Sequence, residues 1–466
     1  MIANAGRNPG DDAVVVAEDA AFRRVTRRLI PLLFVSYIVA YLDRVNIGFA
    51  KLQMAESLAL SDAVYGFGAG VFFLGYFLFE VPSNLMLERV GARLWIARIM
   101  ITWGIVSAAF AGVDVIPWGP LPALFGMPRS QFSFYALRFV LGMAEAGFFP
   151  GIILYLTYWY PAARRGQAVA LFMTAVAVAN VFGGPLSGAI MQYADGARGW
   201  AGWRWLFVLE ALPSVVMGFV LLALLPDGPA RASWLTPAQR DVIGRALAAE
   251  RTTDAPHRPS FSGVLQTMAN RRVWGLAFVY LTFALTLYGV NFWMPTIIQE
   301  LGIARTDYLR VGLVSMIPWG LAGVVMVWAG AHSDKTGERR WHAALSLLCA
   351  ALGLLGLAVV GHAPIPSVIA LTMVACGTLA CASSFWSLAT NLLGATAAAT
   401  GIAWINSIGN LGGHFGPDLI GRIRTTTGSS SIAFFTLAAL AASGAAVTLW
   451  VSRPTAAERS SSTSAL

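Results

Sequence analysis

Twelve apolar stretches, each long enough to cross a bilayer as a helix, follow one another along this chain with short polar breaks between them. They run near 29–50, 64–87, 94–113, 132–156, 167–193, 205–225, 273–301, 308–330, 342–361, 365–390, 400–423 and 432–452. Hydrocarbon offers backbone N–H and C=O groups no partner, so segments of this length span as helices. Of 466 residues, 57% are apolar and only 12% charged, which excludes an ordinary soluble enzyme. The predicted fold is an all-α integral membrane bundle of twelve transmembrane helices in two six-helix halves.

The positive charge orients the bundle. Net charge is +9, which in a soluble protein would suggest nucleic acid as a partner; here it reads as the basic bias of cytoplasmic loops. With the N-terminus inside, 22 Arg and Lys fall in cytoplasmic segments against 8 outside, with Arg44 and Arg138 left in the membrane. Both termini are predicted cytoplasmic. Residues 1–28 form an N-terminal tail that is not a cleavable signal, because acids precede a span-length apolar run. The halves are 29–225 and 273–452, joined by a cytoplasmic linker, 226–272, and followed by a polar tail, 453–466, read as disordered. Thr236, Pro237 and Gln239 carry a helix-start pattern, so the linker is predicted to hold a short surface helix. Cys349, Cys376 and Cys381 all lie in apolar runs and read as small buried hydrophobes. The absence of any Asn-x-Ser/Thr acceptor is compatible with a bacterial inner membrane.

An internal repeat relates the halves. Glu88-Arg89-Val90-Gly91-Ala92-Arg93 in the first is matched by Asp334-Lys335-Thr336-Gly337-Glu338-Arg339-Arg340 in the second, with Gly337 lying 246 residues after Gly91. A carboxylate at a helix end can pair with basic residues and a neighbouring helix N-terminus, so each loop is predicted to be a breakable latch. These loops resemble the signature loop of the major facilitator superfamily. Tyr41-Leu42-Asp43-Arg44-Val45-Asn46, Phe79-Glu80-Val81-Pro82-Ser83-Asn84, Ala144-Glu145-Ala146-Gly147-Phe148-Phe149-Pro150, Phe292-Trp293-Met294-Pro295-Thr296 and Ile405-Asn406-Ser407-Ile408-Gly409-Asn410 further resemble its anion:cation symporter branch. The resemblance implies two pseudo-symmetric halves around a midplane cavity, and proton-coupled uptake of a small organic anion by a monomer without cofactor. It departs from the superfamily at Glu88, where Asp is usual, and at Asn84, where Gly is usual.

Ionisable groups at mid-membrane cost several kcal/mol, roughly 2.5 to 3.5 on insertion scales, and are functional candidates. Asp43 and Arg44 are helix neighbours about 100° apart and cannot neutralise each other along one stripe. Tyr37, Tyr41, Arg44 and Gly48 share a stripe, as do Arg138, Gly142, Glu145 and Phe149 on the fourth span. A buried carboxylate near an Arg responds to hydration and to a bound anion, as proton coupling requires. The resemblance points to Arg44 as the ligand for the substrate carboxylate, Glu145 as the coupling carboxylate, Asp43 as its second member and Arg138 as its counter-ion. It further implies that Tyr41, Tyr76, Trp386 and Asn406 line the substrate cavity.

The second half has almost no membrane charge before Asp418; its polarity comes from residues such as Tyr288, Asn291, Ser383, Trp386, Asn406 and Asn410. Asn291 is counted with the substrate-binding candidates. Glu210 reads as a structural partner of a nearby Arg and His414 as a hydrogen-bonded structural residue, while Glu80 is left without a mechanistic role. Sugar-acid relatives place a Gln near Val176, a departure that favours a less polar or aromatic acid over a sugar acid. No Walker loop, metal-ligand cluster or nucleophile motif is present. The alternatives left open are a proton-driven exporter on the same fold and a transport-inactive anion sensor.

Overall fold

The structure, a computed structural model, describes residues 9–253 and 269–453. The tail read as disordered therefore lies outside the described residues except for Arg453, as does part of the linker. The first half comprises α1 (Pro9–Ser57), α2 (Asp62–Val90), α3 (Ala92–Ala109), the single turn α4 (Leu121–Leu124), α5 (Arg129–Glu145), α6 (Phe148–Thr157), α7 (Ala162–Tyr193) and α8 (Gly202–Leu224). A linker helix, α9 (Pro237–Thr253), precedes α10 (Arg271–Gln299), α11 (Tyr308–Thr336), α12 (Arg340–Val360), α13 (Pro364–Asn410), α14 (Gly412–Thr427) and α15 (Ser431–Val451) of the second half.

Helix starts follow the capping chemistry of the sequence. The Ser61 hydroxyl accepts from the Val64 N–H at 3.2 Å, and the Asp307 carboxylate from the Arg310 N–H at 3.2 Å. At α9, Gln239 N–H donates to the Thr236 hydroxyl at 3.3 Å while the Gln239 side chain accepts from the Thr236 N–H at 3.2 Å, a reciprocal cap.

Eleven helices among the described residues are long and apolar enough to span. The twelfth crossing is hidden in α13. At 1.5 Å per residue its 47 residues would extend about 70 Å, more than twice the hydrocarbon thickness. Yet Phe385 stacks on Tyr280 at 5.4 Å, and Gly409 lies so close to the same ring that a Cβ there would overlap it. On a straight helix these positions, 24 residues apart, would be separated by about 36 Å. The chain therefore reverses between them. A tight turn at Leu411, whose N–H bonds the Ile408 carbonyl at 3.2 Å, divides the eleventh span into the end of α13 and α14.

The fourth span is also divided. Ala146 leaves helical geometry (ψ 131°) and Gly147 adopts φ +86°, a conformation that costs a side-chain-bearing residue energy. The Ser83 side chain occupies the space a Cβ at Gly147 would need. The periodicity that places Phe149 on one stripe with Arg138 and Glu145 stops at this break.

The halves meet closely along α7 and α11, where Gly184 and Gly312 let the two backbones touch. Among the described residues, hydrogen bonds joining the halves run from the Glu80–Asn406 pair towards the face opposite the termini.

Candidate functional site

At the centre of the bundle α1 places Arg44 against Glu145, the last residue of α5, in an ion pair. Both are buried, at 8% and 1% exposure. The break after Glu145 ends the helix there, so its carboxylate faces α1 in place of continuing a helical stripe. Arg44 also donates to the Tyr288 hydroxyl of α10 at 3.4 Å, which ties the pair to the second half. The rings of Phe72, Tyr76 and Tyr41 surround the guanidinium at 5.4, 5.7 and 5.9 Å. Of the same α1 stripe, Tyr37 stacks on Phe172 at 4.5 Å and Gly48 abuts the Phe292 carbonyl.

Arg138 takes a different place from the counter-ion position that the resemblance implied. Glu145 is paired with Arg44, and Arg138 donates to the Ala69 carbonyl at 2.8 Å while lying over the rings of Phe72 and Phe292. Two turns of helix separate Arg138 from Glu145, whereas α1 brings Arg44 into direct contact. The Nε–H groups of Arg44 and Arg138 are both buried without a hydrogen-bond partner.

Asp43 turns away from this centre into the first half. It accepts from Trp103 Nε1 and from the Ser107 hydroxyl, both at 2.9 Å, and from the Ser214 hydroxyl. Asp43 and Arg44 thus face opposite environments, as their 100° separation requires. Glu210, also buried, accepts from the Ser187 hydroxyl at 2.7 Å. The Arg partner read from its neighbourhood is not there, because Arg204 reaches Asp114 instead, at 2.7 and 3.0 Å.

The second half meets this centre with uncharged groups. Asn406 donates to Glu80 at 2.9 Å, which gives Glu80 an inter-half contact that sequence spacing could not show. Asn291 donates to the Asn180 side chain at 3.2 Å beside a cavity with room for a water molecule. Trp386 packs against Tyr280 and Phe385 at 5.0 and 5.2 Å, and no contact brings it to Arg44. His414 is buried beside Phe67 and packs closely on Gly70.

The two signature loops turn on glycines with positive φ, +97° at Gly91 and +69° at Gly337. In the first, Arg93 Nε donates to the Leu222 carbonyl at 2.6 Å and its N–H to Asp227 at 3.1 Å; Glu88 and Arg89 are exposed. In the second, Asp334 pairs with Arg339 at 2.5 Å, Lys335 is exposed and Arg340 lies over the Trp341 ring. Glu338 caps α12 through the Trp341 N–H and reaches His342 at 2.9 Å. Burial pushes the Glu338 carboxyl up, but the bonds from the Trp341 N–H and His342 outweigh it and hold it below the ordinary range. The first loop is fastened to the end of α8 and the start of the linker, and the second within its own half.

A charged clasp at the face opposite the termini escaped the reading of the sequence. Lys51 of α1 pairs with Asp62 at 2.9 Å, Asp62 with Arg424 of α14 at 3.0 Å, and Arg424 with Glu300 at 2.6 Å. The Trp293 ring lies 4.0 Å from the Lys51 ammonium and 5.2 Å from the Arg424 guanidinium. The signal available was a Lys at the end of the first span; nothing in the sequence tied it to Arg424.

A membrane-embedded ion pair within the first of two helical halves, with the halves joined at one face, is an arrangement suited to secondary transport. Residues 33–417 match the model of the Major Facilitator Superfamily, and the chain belongs to that family. It is 47% identical over 94% of its length, and 95% of the relative's, to a protein of Agrobacterium vitis named "Putative tartrate transporter". It is 36% identical over 94% of its length, and 97% of the relative's, to the inner membrane transport protein RhmT of Escherichia coli. Among solved structures it resembles a D-xylose-proton symporter with a TM-score of 0.69, at 16% identity, covering 90% of this chain and 96% of that one. The chain is a multi-pass membrane protein and a transporter, not an enzyme.

Proposed function

We propose that the chain imports a small organic dianion of the hydroxydicarboxylate class together with protons, by alternating access, across a bacterial inner membrane with both termini cytoplasmic. The observation that carries this is the Arg44–Glu145 pair: a planar donor fork for a carboxylate, held by a protonatable group on a separate helix. Protonation of Glu145 from outside releases Arg44 to bind the substrate carboxylate. The unpartnered Nε–H groups of Arg44 and Arg138 are further donors for it. Tyr288, Tyr41, Tyr76, Asn406 and Asn291 supply contacts from both halves, with Trp386 as a more distant wall. The loaded carrier rocks inward, Glu145 loses its proton to the cytoplasm and reclaims Arg44, and the anion leaves. Asp43, held by Trp103, Ser107 and Ser214, is the second protonatable carboxylate, and Arg138 steadies the field around Glu145 without pairing with it.

The relative named for tartrate moves the cargo from the aromatic acids favoured by Val176 to a hydroxydicarboxylate. The test is proton movement in vesicles containing the purified protein, challenged with sugar acids, hydroxydicarboxylates and aromatic acids, with Glu145→Gln in parallel. Co-directional proton entry with the hydroxydicarboxylates, lost in the variant, is expected. Opposed proton flow would make the chain an exporter, and binding without flux a sensor.

A further inference from the structure

On the face that carries the termini, a cavity of about 370 Å³ opens between the start of α1 and the start of α7. Its lining combines apolar groups, Phe22 stacked on Tyr160 at 6.0 Å with Ala168 and Leu171, and polar ones, Gln167 and the Thr26 and Tyr160 hydroxyls, which hydrogen-bond each other at 3.0 Å. Its rim carries Arg23 and Arg27, one helical turn apart on α1. Both are exposed, and neither has an ion-pair or hydrogen-bond partner among the described residues. The third basic residue, Arg164, is occupied: it pairs with Asp19 at 2.5 Å and Glu18 at 3.5 Å and lies 4.9 Å over the Phe22 ring. Asp19, the acid that lines the cavity, and its neighbour Glu18 thus pair with Arg164, and neither pairs with Arg23 or Arg27.

These residues sit where the first and fifth spans enter the membrane, and the cavity wall continues into it. Leu171, at the rim, is exposed and lies on one helical face with exposed Phe182 and Leu186. A phosphate with guanidinium partners at the surface and an apolar track leading into the bilayer match one ligand chemistry. We propose that this cavity binds the phosphate head group of an anionic phospholipid, with an acyl chain lying along Leu171, Phe182 and Leu186 of α7. In that position the head group stands beside α7, the helix that packs on α11 at the opposite face.

The inference uses the topology proposed above but no knowledge of the cargo. Its test is lipid retention by the purified protein, measured by native mass spectrometry from mixtures of phosphatidylglycerol and phosphatidylcholine, with inorganic phosphate as competitor. The wild type is expected to retain phosphatidylglycerol selectively, and inorganic phosphate not to displace it. Arg23→Gln with Arg27→Gln is expected to weaken retention by about thirtyfold, from the attraction of two basic residues near a lipid surface. Arg23→Lys with Arg27→Lys is expected to keep most of it. Equal retention of both lipids, or a glutamine pair indistinguishable from wild type, would overturn the proposal. Displacement by inorganic phosphate would do the same by assigning the site to a free anion. If the glutamine pair does not express, wild-type selectivity and phosphate competition decide alone. Retention is read without orientation or substrate, so its failure leaves the transport reading untouched.

Discussion

The two halves share a repeated loop pattern at Gly91 and Gly337 yet handle charge in opposite ways. The first buries Asp43, Arg44, Glu80, Arg138, Glu145 and Glu210 within its spans. The second presents Tyr288, Asn291, Trp386 and Asn406 to the same interface and keeps its charges near the ends, as Glu300, Asp418, Arg422 and Arg424. Buried charges are costly to move relative to their partners, so the half that contains the buried Arg44–Glu145 pair is suited to hold protons and anion. The half that contains amides and rings can slide past them at smaller cost. On the transport mechanism proposed above, the chemistry belongs to one half and the adjustable wall to the other.

The largest effect expected from breaking this division is at its centre. Arg44→Gln leaves Glu145 buried without a cation, a loss of about 3 to 5 kcal/mol for a buried pair, and uptake should fall by on the order of 100-fold or more. Glu145→Gln should separate the two functions of the pair: net uphill accumulation disappears, while exchange of labelled for unlabelled anion across the membrane persists. Accumulation by Glu145→Gln with unchanged pH dependence would show that coupling resides elsewhere in the first half.

The next effect lies at the clasp, where the second half does bring charge to its partner. Asp62→Asn removes the carboxylate shared by Lys51 and Arg424. The two cations then face each other across Trp293, and the closed arrangement should lose roughly 1 to 2 kcal/mol, a shift of about tenfold in the conformational equilibrium. Labelling of a cysteine placed at Ser315, which lines the cavity beside Asn180 and Asn291, from the face opposite the termini should rise accordingly. Unchanged labelling would mean that the glycine contacts of α7 and α11 close this face without the clasp.

In the wall itself the changes should be smaller. Asn406→Ala removes one hydrogen bond to Glu80, worth about 1 kcal/mol, so the transport KM should rise about fivefold with little change in maximal rate. A loss as deep as that of Arg44→Gln would contradict the division between the halves.

The fold was legible because spans are written in length and hydropathy, and the repeat at Gly91 and Gly337 stands in the sequence itself. The embedded charges were legible for the same reason: an Arg or Glu inside an apolar run stands out. Their partners were not. Arg44 meets Glu145 across helices and Arg138 finds a backbone carbonyl, because pairing follows tertiary distance, which helical spacing along one span does not encode. Glu210 lies near Arg204 in sequence, yet Arg204 takes Asp114 at the helix end, where partial solvation lowers the cost of a pair. The reversal inside α13 and the break after Glu145 pack against Tyr280 and Ser83, residues distant from both in sequence.

The smallest effect concerns a first-half pair outside the spans. Asp114 sits in the loop before α5, and its bidentate bond from Arg204 holds the carboxyl below the ordinary aspartate range. A carboxyl whose folded value is depressed stabilises the protein above its unfolded pKa of about 3.9 and loses that contribution as pH falls through the folded value. Both side chains are partly exposed, at 33% and 22%, so screening limits the pair to about 1 kcal/mol or less. Asp114→Asn should therefore lower the unfolding temperature slightly at pH 7, and the difference from wild type should shrink as the pH falls below about 4 and vanish below the folded value. Transport should be unaffected at either extreme where the protein stays folded. If Asp114→Asn lowered uptake as Arg44→Gln does, the chemistry of the first half would extend to its loops, and burial inside the spans would no longer mark which of its ion pairs carry it.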